Sequence, residues 1–135
     1  MKLAVVVWMA AAVSVVGSGC GRGGGGPRRY TVSGTVTFRG QPVPVGRIDF
    51  EPDTEQGNSG PGGTAEIRQG RYTTARGRGV VGGPHVVRIT GSDGVPLEVA
   101  DEGTIDRRGT ALFPEYVARA DLPHSDSTWD VDVPN

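Results

Sequence analysis

Residues 30–39 read YTVSGTVTFR, and this stretch decides the fold class. Its apolar residues occupy every second position, and threonine, serine or arginine fills most positions between them. Side chains of a β-strand alternate between two faces, so the pattern predicts a strand with one buried and one wet face. Gly34 falls on the buried face, where the missing side chain predicts a bulge or the close approach of another strand.

Further segments repeat this alternation or are rich in β-branched residues. Residues 47–51 form one such segment, which ends before Pro52, and residues 85–90 form another. Residues 64–68 and 71–74 are predicted to form a hairpin around a turn at Gln69-Gly70, and residues 128–134 a closing strand. The 23 glycines and 10 prolines lie mainly in the N-terminal linker and between these runs, and there is no amphipathic helical pattern. We therefore expect an all-β domain at residues 30–134, a β-sandwich of about seven short strands.

Two polar stretches interrupt the strands. Residues 53–63 are rich in glycine, asparagine, serine and proline, which predicts a loop. Residues 92–108 carry many charged side chains and predict an exposed excursion, which is the least predictable part of the domain.

The amino terminus has the composition of a secretory signal. Lys2 precedes an apolar run at residues 3–16, and small residues follow at 17–19, directly before Cys20. A cleaved signal peptide has a charged start, an apolar core of roughly 7–15 residues and small residues before the cleavage site. The run is too short for a permanent membrane helix, which needs about 20 apolar residues. Residues 1–19 are therefore predicted to be a signal peptide.

Cys20, the single cysteine of the chain, resembles the lipidated cysteine of a bacterial lipoprotein. Ser18 and Gly19 fit the positions before such a cysteine, whereas Gly17 stands where leucine is preferred. A lone cysteine in an exported chain has no internal disulfide partner. We expect a fatty acid such as palmitate on Cys20, which places the protein in the bacterial cell envelope, membrane-anchored and facing the periplasm or the exterior. The alternative is ordinary cleavage nearby, with Cys20 incidental.

A glycine-rich linker at residues 20–29 joins this anchor to the domain, and such a chain behaves as a flexible coil. Its arginines, including Arg28 and Arg29, are predicted to be solvated. Beyond the signal, 13 basic residues face 15 acidic ones, without the clustered basic face that nucleic-acid binding requires. We expect the membrane as a partner, and no nucleic acid.

Four blocks of the chain together resemble the carboxypeptidase regulatory-like, transthyretin-like domain. They are the V-x-G-x-V strand and G-x-P-V turn of residues 32–43, G-R-Y at 70–72, the segment 82–89, and F-P-E-Y at 113–116 with the closing strand 129–133. The resemblance implies a seven-stranded sandwich that serves as an accessory or binding module. It implies no catalytic residues and no cofactor.

The residues themselves offer little for catalysis or metal binding. His85 is predicted to be a strand residue and His124 an exposed loop residue, and there is no zinc motif. Ser59 lies between glycines but lacks the strand-to-helix turn of a nucleophile elbow. Asp101, Glu102 and Asp106 lack the spacing of a calcium loop, so solvation is the favoured interpretation. Asp130 and Asp132 are interpreted as charges that discourage pairing at a sheet edge.

Three aromatic residues have scope for binding. Tyr72 and Trp129 lie at strand positions, where packing in the core is favoured. Tyr116 follows Pro114 in a predicted loop and is the candidate binding residue.

The leading function hypothesis is a lipid-anchored envelope β-sandwich with a structural or accessory role and no catalysis. The alternative is an adhesion or ligand-binding domain that recognises an envelope glycan or a partner protein. A transthyretin-like hydrolase is disfavoured, because the Y-R-G-S ending of those enzymes is absent.

Overall fold

The computed structural model describes residues 25–100 and 103–135, so the predicted signal peptide, Cys20 and the first part of the linker lie outside it. The described chain is all-β, without an α-helix. A single 3-10 turn spans Thr54–Gln56 in the predicted loop. The strands are β1 (Val32–Phe38), β2 (Gln41–Pro42), β3 (Val45–Pro52), β4 (Gly63–Arg68), β5 (Arg71–Thr73), β6 (Gly83–Ser92), β7 (Leu97–Val99), β8 (Thr104–Asp106), β9 (Tyr116–Leu122), β10 (Ser127–Thr128) and β11 (Val131–Val133).

Nine of these strands form one hydrogen-bonded sheet in the order β10-β1-β5-β4-β3-β6-β9, with β2 and β11 also paired to β1. The sheet curls around a single core, as ring contacts between segments that are not neighbours in the sheet show. The Phe50 ring on β3 lies 6.1 Å from the Trp129 ring, which follows β10, and 6.0 Å from the Tyr72 ring on β5. The all-β, sandwich-like fold expected from the alternation is confirmed.

The core consists of the inward-facing apolar residues of these strands together with a few loop residues. They are Val32, Val36, Val43, Ile48, Phe50, Ala65, Ile67, Tyr72, Val80, Val87, Ile89, Phe113, Leu122 and Val133. Partly buried Trp129 packs against this cluster, so core packing is confirmed for both Tyr72 and Trp129.

The closing segment runs parallel to β1 as two short strands rather than one. Val32 is in register with Ser127, and Val36 with Val131. Between β10 and β11 the backbone leaves the ladder, and the Asp130 carboxylate accepts the Thr35 backbone N–H at 2.8 Å. The interpretation that Asp130 and Asp132 discourage pairing at a sheet edge is therefore wrong. Both carboxylates bind β1, since Asp132 accepts the Thr37 hydroxyl at 2.8 Å.

Gly34 meets another strand at close range, as predicted. A Cβ atom at this position would lie 2.0 Å from the Trp129 carbonyl oxygen. The same oxygen accepts a hydrogen bond from the Tyr72 hydroxyl at 2.5 Å. Burial, and secondarily the Asp130 carboxylate, raises the pKa of the Tyr72 phenol.

Two tight turns use left-handed backbone. The predicted turn at Gln69-Gly70 is confirmed, with φ angles of 49° and 74°. Arg39 and Gly40 adopt the same conformation, at 52° and 74°, and join β1 to β2. Positive φ at both central residues is the type I′ geometry that matches the twist of a hairpin. The sequence pattern does not predict the second hairpin, because a proline cannot donate to a strand ladder. Pro42 lies on the short edge strand β2, where no ladder donor is needed.

Strand β9 is missing from the sequence prediction, and the loop assignment of Tyr116 is wrong. Tyr116 is the first residue of β9 and pairs with Ile89 of β6. The inward positions of β9 include Ala118 and Ala120, which are small and only half-buried, so the strand lacks the strong alternation of β1. The neighbouring strand, not local hydrophobicity, specifies β9.

The polar excursion is exposed, as expected, and it forms an ordered ribbon. Ser92 and Ala111 form an isolated bridge, the Asp93 backbone N–H donates to the Thr110 carbonyl at 2.9 Å, and β7 pairs with β8 further out. The Asp93 carboxylate fastens the base by accepting the backbone N–H groups of Val95 and Thr110. We call residues 92–111 the ribbon.

The linker enters the domain at the end opposite the ribbon. Arg29 was predicted to be solvated; instead its Nε donates to the Gly79 carbonyl at 3.0 Å, and a second guanidinium nitrogen donates to the Gly62 carbonyl. We call this end the tether pole and the other the ribbon pole. Strand β6 runs from one to the other, which separates them by about 30 Å at about 3.3 Å per residue.

Candidate functional site

The predicted site residues do not come together in this structure. Cys20 lies outside the described residues. Tyr116 is half-buried and packs against the core, with part of its surface accessible on β9.

An open groove of about 1230 Å³ lies between the ribbon and the outward face of the sheet. Its floor comes from β3, β4, β5 and β6, and its wall from the ribbon. Gly94 brings the ribbon against this face, since a Cβ there would lie 3.2 Å from the Val45 side chain. Polar residues that line the groove are Arg47, Thr64, Glu66, Arg68, Gln69, Thr73, Thr90, Ser92, Asp106 and Arg108.

The arginines around the groove differ in their ion pairs. Arg47 and Asp49 lie 2.9 Å apart and Arg68 and Glu66 2.5 Å apart, all as exposed side chains. Arg108, on the ribbon, makes no ion pair within the described part of the chain. Exposed pairs of this kind contribute little stability, about 0–1 kcal/mol, so all of these guanidinium groups are available to a ligand.

Arg71 lies next to the groove and is also without an ion pair in residues 25–100 and 103–135. It stands directly opposite Arg68 across the β4–β5 hairpin. Like charges directly opposite each other on neighbouring strands destabilise a sheet. The hairpin therefore places two positive side chains side by side at the end of the groove near the ribbon.

Hydroxyl groups are spread over the groove floor. Thr73, Thr90 and Ser92 lie on this floor, whereas the hydroxyl of Thr64, which also lines it, donates to the Ile48 backbone carbonyl at 3.3 Å. None of the described residues that line the groove is aromatic. The surface therefore offers hydrogen-bond donors and positive charge, without a stacking platform.

A second polar cluster lies at the tether pole and has a structural role. The Asp53 carboxylate is buried and accepts the Gln56 side-chain amide at 2.7 Å and the Glu55 backbone N–H at 3.1 Å. Arg119 on β9 lies 3.5 Å away. The hydrogen bond from Gln56, with help from Arg119, holds the pKa of the Asp53 carboxyl below its ordinary value. Asp53 thus caps the 3-10 turn and ties it to β9.

His85 is a fully buried residue of β6, which confirms its predicted strand position, and His124 is exposed in a loop, also as predicted. The Nδ1 atom of His85 lies 2.8 Å from the Gly83 carbonyl oxygen, and its Nε2 has no hydrogen-bond partner among the described residues. The described residues contain no group of three potential metal ligands.

Two further candidates form only local contacts among the described residues. The Asp106 carboxylate accepts the Arg108 backbone N–H at 2.9 Å, while Asp101 and Glu102 lie outside the described residues. Ser59 is exposed, and its backbone N–H donates to Asn58. No base contacts the Ser59 hydroxyl in the described residues.

No known protein-family model matches this chain, and no curated protein matches it. Among the described residues, none belongs to a helix of the length and apolarity needed to cross a bilayer.

The sequence alone did not reveal the groove. Its floor residues are the ordinary wet positions of predicted strands, and its wall belongs to the polar excursion, whose path is set by contacts with the sheet. The one local signal was the Arg68–Arg71 pair around the predicted turn, since a two-residue hairpin sets these side chains directly opposite each other.

Proposed function

We propose that the protein is an exported, membrane-tethered β-sandwich that acts as a non-catalytic accessory module of the bacterial cell envelope. The observation that carries this proposal is the order of the amino terminus: an apolar signal, Cys20 next to small residues, and a glycine-rich linker. The four blocks that resemble the carboxypeptidase regulatory-like domain support the same role.

The arrangement of the two poles supports a tethered module. The chain enters at the tether pole, where Arg29 is bonded to the Gly62 and Gly79 carbonyls. The groove and the ribbon lie about 30 Å away. A lipid on Cys20 would therefore hold the domain by one end and leave the opposite end to face outward.

Metabolic labelling with an alkyne fatty acid tests the anchor. We expect wild-type protein to carry the label and to sediment with membranes, and Cys20→Ala protein to lose both. Gly26→Ala is the matched control, because it changes the linker and leaves the cysteine. An exported, unlabelled wild-type protein that fractionates like Cys20→Ala would contradict the anchor.

A second candidate function is ligand binding, which the groove favours. The groove at the ribbon pole is open and has a volume of about 1230 Å³. Small-molecule pockets are enclosed and occupy about 300–1,000 Å³, so the groove suits a polymer better than a small molecule. Binding to an array of envelope glycans and crosslinking in intact cells test it. Flat binding curves and no crosslinked partner would count against it.

A further inference from the structure

We infer that the groove binds an extended anionic polysaccharide, whose acidic groups are held by Arg68, Arg71 and Arg108. This inference rests on the proposed ligand-binding role and does not depend on the lipid anchor.

The first observation is an uncompensated charge at the end of the groove. Arg68 and Arg71 are a register pair, so their side chains leave the sheet side by side on its outward face. Glu66 is within ion-pair distance of Arg68, whereas Arg71 has no acidic partner in the described structure. A carboxylate or sulfate group seated between the two guanidinium groups would relieve the repulsion. Arginine suits that task because its planar fork binds such groups through two parallel hydrogen bonds.

Arg108 supplies the opposite side of the site. It lines the groove from the ribbon, while Arg68 lines it from β4. The turn that fixes the Arg108 backbone is made locally, since its N–H donates to Asp106. Its guanidinium group is thus positioned by the ribbon but makes no ion pair in the described residues. A chain lying along the groove would pass between these two walls.

The lining distinguishes a polysaccharide from other polyanions. Thr73, Thr90 and Ser92 offer hydroxyl groups on the floor, which match the repeated hydroxyl groups of a sugar chain. Proteins that hold single-stranded nucleic acid combine positive charge with aromatic stacking, and none of the described lining residues is aromatic. An extended acidic peptide is typically held as an added strand at a sheet edge, whereas this groove lies over the outward face of the sheet.

Binding of polygalacturonate, a linear polymer of uronic acid, tests the inference. The full chain, purified after export, is titrated with polygalacturonate and with dextran, a neutral polymer of similar size. We expect binding to polygalacturonate that weakens with added salt, and no binding to dextran. Arg71→Ala and Arg108→Ala should each raise the apparent Kd by about tenfold or more, since each removes a charge-assisted hydrogen bond.

Arg78→Ala is the matched control. Arg78 is exposed, lacks an ion pair in the described residues and lies near the tether pole, beside Gly79, so its removal changes the net charge equally. We expect its Kd to stay within about twofold of wild type. Urea unfolding of Arg71→Ala should show an unchanged or higher midpoint, because the mutation relieves the repulsion with Arg68. Lost binding with unchanged stability then locates the effect at the groove.

Three outcomes would overturn the inference. The first is no binding of wild-type protein to polygalacturonate. The second is an equal loss in Arg78→Ala, which would mean non-specific attraction. The third is equally tight binding of poly-glutamate, which would make the ligand an acidic peptide. If the array shows binding to a neutral glycan only, the inference of an anionic ligand fails while the proposed ligand-binding role holds. The failure of the inference is therefore distinguishable from the failure of the proposed function.

Discussion

Gly34 is a residue at which the closing segment lies close against β1. Its missing side chain leaves room for the Trp129 carbonyl oxygen, which the Tyr72 hydroxyl also contacts. Because the obstructing atom belongs to the backbone, no rotamer change relieves a clash there. The position therefore depends on glycine for space, not for an unusual backbone angle.

Gly34→Ala is expected to destabilise the domain by at least about 2 kcal/mol, since the added methyl group must push the closing segment away from β1. Urea unfolding followed by circular dichroism measures the change. Gly26→Ala is the control, because nothing lies within 4 Å of a Cβ at that position. If Gly34→Ala and Gly26→Ala are equally stable, the close approach of the closing segment to β1 is contradicted.

Asp53 links stability to pH. Its folded-state pKa is lowered from the ordinary value of 3.8, which the unfolded chain retains. Between the two pKa values the unfolded state binds more protons, so the contribution of Asp53 is complete above about pH 4–5 and is lost as the pH falls through the folded pKa.

Asp53→Asn should therefore be less stable than wild type at pH 7, and its stability should fall less between pH 5 and pH 2. Thermal melts over this range measure both effects. Asp121→Asn, at an exposed position of β9, should keep the wild-type pH profile. If Asp53→Asn still loses stability steeply at acidic pH, other carboxylates cause the pH dependence.

At the scale of elements, the ribbon differs from the rest of the domain. Its apolar side chains are exposed: Val95 by 59%, Leu97 by 44% and Ile105 by 60%. It is held at its base by the Ser92–Ala111 bridge and by Asp93, and Gly94 lies close to Val45 of β3. Its two short strands bury little surface, so they contribute little to the stability of the core.

Replacement of residues 95–107 by Asn-Gly should change the free energy of unfolding by less than about 0.5 kcal/mol, the usual effect of changes at exposed positions. Leu122→Ala provides the contrast, because Leu122 is 4% exposed and its truncation should cost about 2–5 kcal/mol. Urea unfolding of the two variants compares them directly. A large loss in the shortened variant would show that the ribbon is part of the folding unit.

Elements with a strong local pattern were predictable, and those specified by partners were not. β1, β4 and β6 alternate large apolar and polar residues, and glycine at the second turn position fixed the β4–β5 hairpin. β9 was missed because its inward residues include two alanines. The groove was not predicted because it lies between the solvent-exposed faces of several strands and the ribbon. Only the folded chain brings these two parts together.

At the scale of the molecule, the two ends of the domain meet. β1 near the amino terminus pairs with β10 and β11 near the carboxyl terminus, at a constant offset of 95 residues that the Asp130 and Asp132 hydrogen bonds share. These contacts join opposite ends of the domain, so they form only when the chain between them has folded. The core is incomplete without Val133 and the partly buried Trp129.

Deletion of residues 127–135 should therefore abolish cooperative unfolding, because β1 loses its partners on one side and the core loses three apolar side chains, Trp129, Val131 and Val133. Far-ultraviolet circular dichroism during urea titration would follow the transition. Deletion of residues 134–135 alone is the control and should leave a sharp transition, since both residues are exposed. A sharp transition in the longer deletion would mean that β1 to β9 fold alone.

The placement of β1 has a mechanical consequence. The strand begins directly after the linker and is bonded on both sides, to β5 and to the parallel pair β10 and β11. A pull on the amino terminus acts along the strand axis, so these hydrogen bonds are sheared together instead of being peeled apart one by one. Under the proposed function, with the linker held at a membrane and the groove on a polymer, the domain would resist extension and transmit force through its first strand.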